Sequence, residues 1–208
     1  MALETRAWLY PLPVSASRPL LLLLASNLLT IVLALVQHWD VAVLMWIYWG
    51  QSLVIGYYNV HRILGLERFS TRGFRINHRP VAPTRRTQRQ TAGFFTLHYG
   101  LFHLFYGLFM VNDAALGNDV SLFMVMVCIV AFWLNHGYSY RHTRARDRER
   151  VPNIGSIMFF PYLRIVPMHL MILFGHAFMD NGPLALLFFL LLKTAADAAM
   201  HVVGHAGR

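Results

Sequence analysis

Six nearly unbroken apolar stretches divide this chain: Leu20 to Gln37, Val41 to Leu64, Thr91 to Val111, Val120 to Tyr138, Ile157 to Met179 and Pro183 to Gly204. The shortest, about 18 residues, makes about 27 Å of helix at ~1.5 Å per residue, close to the ~30 Å thickness of a bilayer's hydrocarbon core. The pattern predicts an all-α polytopic membrane protein with six transmembrane helices. Residues 1–18 contain Glu4, Pro11, Pro13 and two arginines, with no short apolar core leading to a small-residue cleavage site, and read as an uncleaved lead. Residues 19–205 then form one six-helix domain. The segments 65–90 and 139–155 are too polar to span, and the first also carries the breakers Gly73, Pro80 and Pro83.

Polar positions inside the runs are the informative ones. Lys193, Asp197 and His201 stand four apart, so a helix stacks them on one stripe. Ionisable groups there would each cost about 2.5–3.5 kcal/mol facing hydrocarbon, so the stripe is expected to face protein or water. Ser52, Gly56 and Asn59 share a face of the second run and form a small, polar seam of the kind that lets membrane helices approach. Gly93, Gly100 and Gly107 repeat every seven residues on the third run, predicting another close contact beside His103. In the fifth run Pro161, Arg164, Pro167 and His169 crowd the first half, where proline frees carbonyls and bends the helix.

Composition supports membrane placement: 57% of residues are hydrophobic and 13% charged, against about 25% charged in soluble domains. The formal charge of +9 is concentrated in the lead and loops, with Arg68, Arg72, Arg75, Arg79, Arg85, Arg86 and Arg89 in one loop and Arg141, Arg144, Arg146, Arg148 and Arg150 in another. The turns at Asp40, at Asp113 to Asp119 and at Asp180 carry no Lys or Arg. By the positive-inside rule both termini are cytoplasmic and the protein is a multi-pass protein of the cell inner membrane. That topology accounts for the basicity. No zinc finger, helix-turn-helix or aromatic-basic strand points to nucleic acid, so the bilayer is the expected partner. The lone Cys128 excludes an internal disulfide and a cysteine-based zinc site.

Counting about 1.5 Å per residue from the run ends places His98, Arg164 and Asp197 at a similar depth, His136 and His201 nearer the cytoplasmic face, and His169 and Lys193 near the midplane. Asp197 and His201 have the spacing for two ligands to one ion. With His98, His136 or His169 they would supply the N/O donors of a divalent metal such as zinc, or of copper or iron. In an enzyme of this kind Arg164 or Lys193 would stabilise negative charge beside a metal-activated water, as in metal-assisted hydrolysis. The alternative is a non-enzymatic protein in which these groups form a proton relay or an ion-pair core, with Lys193–Asp197 or Arg164–Asp197 paired directly. A bis-histidine haem is a third reading.

Trp49-x-Gln51-Ser52 with Ile55-Gly56, His98-Tyr99-Gly100-x-Phe102-His103, Pro161-Tyr162-x-Arg164-Ile165 with His169, and Lys193-Thr194-x-x-Asp197-x-x-x-His201 together resemble a bacterial family of multispanning membrane proteins of unknown function. The resemblance covers most of residues 40–205 and implies membrane placement, without implying a substrate. A weaker similarity to rhomboid intramembrane proteases rests on His98-Tyr99-x-Leu101-Phe102-His103 and His201-x-x-Gly204. Their Gly-x-Ser-Gly nucleophile motif is missing: Gly137-Tyr138-Ser139-Tyr140 keeps only its first half, so the similarity implies at most an inactive scaffold.

Overall fold

The computed structural model describes residues 24, 25, 28, 31, 32, 35, 36, 38–112, 122–174 and 182–206, with side chains as far as Ala199. Most of the predicted first run lies outside the described residues, as does the lead; the described part of that run is helical. The elements that follow are α1 (Val41–Leu64), a hairpin of β1 (Arg75–Ile76) and β2 (Arg79–Pro80), α2 (Arg85–Asn112), α3 (Leu122–Glu149), α4 (Ile154–Phe159), a 3-10 turn (Phe160–Arg164), α5 (Ile165–Phe174) and α6 (Gly182–Ala206). The fold is all-α apart from the hairpin. Among the described residues, five helices are long and apolar enough to cross a membrane, with α4, the 3-10 turn and α5 acting as one.

α1 is the hub. It begins at Asp40, whose side chain accepts from Ala42 N at 2.7 Å and caps the helix. From there it packs against α2, α3, α4, the 3-10 turn, α5 and α6. Its small residues make this crowding feasible: Ser52, Gly56 and Asn59 are all buried, as the seam predicts. At Gly56 an added Cβ would sit 2.7 Å from Tyr99 Cε1, and the Tyr99 hydroxyl donates to Ser52 O at 3.0 Å. The predicted glycine stripe on α2 behaves differently. Gly93 and Gly100 face open space, and only Gly107 meets a neighbour, the Trp49 indole. The bulky residues between these glycines, Phe95, Tyr99, His103 and Tyr106, are the ones that turn inward. Gly93 and Gly100 therefore lie on the outer face of α2, and only the Gly107 end of the stripe reaches a helix contact.

Both basic segments depart from the plain loops expected. α2 starts at Arg85, six residues before the apolar run, because the Thr84 hydroxyl accepts from Thr87 N at 3.2 Å and caps the turn. α3 continues through the arginines to Glu149, so its 28 residues reach about 42 Å, well beyond the hydrocarbon core. Ion pairs hold this extension to the rest of the protein. Arg62 grips Asp147 with both Nε and Nη2, at 2.7 and 2.8 Å, and Arg148 meets Glu67 at 3.3 Å. The two segments also join each other: Ser70 N donates to Pro152 O, Ile154 N to Ser70 O, and Asn153 Nδ2 to Arg72 O. They therefore lie on one side of the bundle. In the hairpin, Asn77 and His78 take φ of 49° and 63°, the left-handed pair that a tight two-residue turn requires.

The fifth span breaks where its prolines predict. Pro161 opens the 3-10 turn, and Pro167 removes a further amide hydrogen in α5. This segment delivers Arg164 into the bundle.

Gln88 closes the end of α1. Almost fully buried, it shares its Nε2 hydrogens among Ile63 O, Leu64 O and Leu66 O at 2.7, 3.2 and 2.9 Å, while its own Oε1 accepts from Arg85. Gln88→Leu removes the donor and leaves these carbonyls facing a methyl group. We expect a stability loss of roughly 1–3 kcal/mol, seen as a lower thermal midpoint in detergent with the helix content of the folded baseline unchanged.

Candidate functional site

Arg164 is the most unusual ionised group in the described structure. It is 9% exposed, yet it meets a neutral amide and a ring: Nη2 donates to Gln51 Oε1 at 3.3 Å, and the guanidinium carbon stands 4.4 Å from the Tyr48 ring centre. Its Nε has no hydrogen-bond partner. Tyr48 is wedged edge-on against Phe189 of α6, and both Arg164 and Asp197 act electrostatically on it. Pattern reading had not singled out Tyr48. It continues the Ser52, Gly56 and Asn59 seam one turn toward the start of α1, and that spacing was the available signal.

The Arg164–Asp197 pair is not among the ion pairs of the described residues. Asp197 instead pairs with Lys193 on its own helix, Nζ to Oδ2 at 2.8 Å, with both side chains partly buried. Thr194 turns its hydroxyl back to Leu190 O at 2.7 Å, so the first part of the α6 motif is satisfied within the helix. The His201 side chain lies outside the described ones.

His98 and His169 both lie on the surface of the bundle, and each is tied to a tyrosine across the same helix boundary. His98 Nδ1 and Tyr162 Oη are 3.0 Å apart, and His169 Nδ1 and Tyr106 Oη are 3.1 Å apart. Because α2 and the fifth span run parallel, the pairs 98–162 and 106–169 recur at nearly the same interval on each. Between them lie Tyr99 and His103, both buried. Tyr162 meets Tyr99 at 5.6 Å between ring centres, Tyr99 stacks on His103 at 4.3 Å, and His103 reaches Tyr106 at 6.1 Å. His103 Nδ1 donates to Tyr99 O, and His103 O accepts from the Trp49 indole. His98, Tyr162, Tyr99, His103, Tyr106 and His169 thus form a continuous ladder of ionisable rings. The tyrosines of this ladder carry it as much as the histidines do, and a search for metal ligands passes over them.

His136 stands elsewhere, on α3, stacked on Phe132 and against Tyr58. It shares a cavity with Arg164 and Asn59. Of the residues expected to form one centre, then, the structure brings His136 to Arg164 and Asp197 to Lys193, and places His98 and His169 on a separate ladder. Among the described residues, no three of His, Cys, Asp and Glu gather as a metal-ligand group.

Helices long enough to span, joined by basic segments on one side and filled with mutually bonded polar side chains, define a polytopic all-α membrane protein. Residues 10–208 match DUF6498, a family of unknown function, and the chain belongs to that family. No curated protein and no solved structure matches it, and the similarity to rhomboid proteases finds no support there.

If Lys193 and Asp197 act as a pair, removing one partner leaves a partly buried charge alone, whereas removing both does not. Lys193→Met is expected to destabilise the protein by roughly 1–3 kcal/mol. The double variant Lys193→Met/Asp197→Leu should recover part of that loss in the same thermal unfolding assay.

Proposed function

We propose that this is a six-span inner-membrane protein with both termini in the cytoplasm, and that its function is non-hydrolytic: its ladder of tyrosines and histidines carries protons within the membrane. The observation that carries this reading is the ladder itself. Two His–Tyr hydrogen bonds lie about 12 Å apart along α2; between them Tyr99 and His103 are in ring contact but donate to the carbonyls of Ser52 and Tyr99, so a proton crosses that interval through water or by breaking those two bonds. Intramembrane histidines and tyrosines at hydrogen-bond distance can exchange a proton by rotation and tautomer change without adding a fixed charge to the bilayer. The pairing of Asp197 with Lys193 supports the non-hydrolytic reading too, since it occupies the carboxylate that a metal site would need. A zinc-dependent hydrolase would have to be assembled around His201, with His98 and His169 turned away from their tyrosines.

This topology is supported by the joining of the two basic segments on one side and by the lack of Lys and Arg in the sequence between the other ends of the spans. A cysteine introduced by Asn118→Cys should react with an impermeant maleimide from the periplasmic side, and one introduced by His78→Cys only after the membrane is opened. For the relay, proteoliposomes containing a pH-sensitive dye should show a proton leak that Tyr106→Phe and His169→Phe each reduce several-fold. A wild-type rate equal to that of empty vesicles would leave the ladder with a packing role only. Metal analysis of the same preparation, with Asp197→Ala as control, is expected to find no stoichiometric zinc, copper or iron; a stoichiometric metal lost in the control would restore the hydrolase reading.

A further inference from the structure

A second polar feature lies away from the ladder, where α1, α3 and the 3-10 turn meet around a cavity of about 190 Å³. Two side chains on its wall are more than nine-tenths buried and each carries a donor without a partner: Arg164 through Nε and Asn59 through Nδ2. Ser139, Thr143, Tyr58, Tyr140, His136 and Arg62 complete the polar lining. No carboxylate faces it among the described lining residues. Asp147, the nearest acid on α3, is held in a two-point grip by Arg62 at the rim, and Asp197 is held by Lys193. A buried guanidinium whose contacts are an amide and a ring lacks a compensating negative charge, and buried donors left unbonded are each unfavourable by about 1–3 kcal/mol.

A basic groove adjoins the cavity. Tyr58 and Tyr140, whose rings meet at 5.1 Å, stand between this cavity and a larger groove of about 490 Å³ on the basic side, whose remaining wall includes Arg141, Arg144 and Arg148. A groove of one sign narrowing into a less polar interior concentrates ions of the opposite sign. We propose that this cavity is a binding site for a single oxyanion group, phosphate or carboxylate, held by the Arg164 guanidinium and the Asn59 amide after a small shift that exposes their unbonded donors, and admitted from the basic side by displacement of the Tyr58 and Tyr140 rings. The volume fits one such group with little to spare, so the remainder of a larger ligand would extend into the groove. A free solute from the aqueous side and the head group of an anionic lipid of the adjoining leaflet would present the same chemistry.

The test is thermal unfolding of the full chain in nanodiscs of phosphatidylcholine. In one arm inorganic phosphate or acetate is titrated against sodium chloride at equal ionic strength; in the other, phosphatidylglycerol progressively replaces the phosphatidylcholine. A saturable rise in the midpoint is expected in at least one arm. Arg164→Gln and Asn59→Leu should each weaken the apparent affinity about tenfold or more, the loss expected for a charge-assisted hydrogen bond. A response to the soluble anions alone identifies a solute site, and a response to phosphatidylglycerol alone identifies a head-group site. Silence in both arms overturns the proposal. A response that Asn59→Leu leaves at wild-type strength also overturns it, because it would report surface screening. Should Arg164→Gln or Asn59→Leu fail to fold, Ser139→Leu, at an exposed position on the cavity wall, decides by closing the space, and an undiminished response there is equally fatal.

Discussion

A guanidinium inside a helix bundle sets the terms for everything packed around it. Arg164 cannot lose its proton at any ordinary pH, and hydrocarbon offers it no hydrogen-bond acceptor, so its stabilisation has to come from the protein. The neighbouring elements are arranged accordingly. The 3-10 turn that begins at Pro161 places the side chain in the bundle, Gln51 supplies an acceptor, and Tyr48 supplies the face of a ring. These contacts are dipolar and quadrupolar rather than ionic, so the positive charge is softened but not neutralised. A cavity lined with further donors is the natural accompaniment of such a charge, and His136 and Asn59 are found there.

α1 makes this arrangement feasible because it can be approached closely from several sides. Membrane helices gain little from apolar burial against one another, since lipid tails are equally apolar, so close backbone approach and hydrogen bonding must hold them. Gly56 receives the Tyr99 ring, Ser52 O accepts the Tyr99 hydroxyl, and Gln88 fastens the end of α1 to the start of α2. α3 contrasts with this: of its long helix only Val125 is fully buried, and it lies along α1 through Ile129 at Gly50, the Tyr58 ring against Trp133, His136 and Tyr140, and the ion pairs of Arg62 and Arg148 where the helix emerges on the basic side. The positive charge of that side thus serves two purposes, topology and the tethering of a peripheral helix.

The ionisable side chains divide among three local environments instead of converging on one. Rings at the boundary of α2 and the fifth span pair tyrosine with histidine, α6 pairs lysine with aspartate, and the region between α1 and α3 holds the arginine. Each environment lowers the free energy of its polar groups in its own way: neutral hydrogen bonds, a direct ion pair, and a polar cavity. Membership of a family of unknown function lends no prior mechanism to any of the three, so the chemistry has to be argued from these contacts.

Apolar run length was enough to read the five spans seen among the described residues, because bilayer thickness and backbone hydrogen bonding leave a long apolar segment few other options. The proline-bent fifth span, the seam of Ser52, Gly56 and Asn59, and the i, i+4 pairing of Lys193 with Asp197 were legible for the same reason: each depends on spacing within one helix. Depth counting was less informative, since it placed His98, Arg164 and Asp197 in a common layer without saying which way each side chain turns. The glycines at 93 and 100 had the spacing of a contact and face open space, while Tyr99, Tyr106 and Tyr162, to which the sequence assigns no role, make bonds between helices. Rotation of each helix about its own axis, fixed only when neighbours pack, decided which groups meet: tyrosine with histidine, and Arg164 with a cavity in place of a carboxylate.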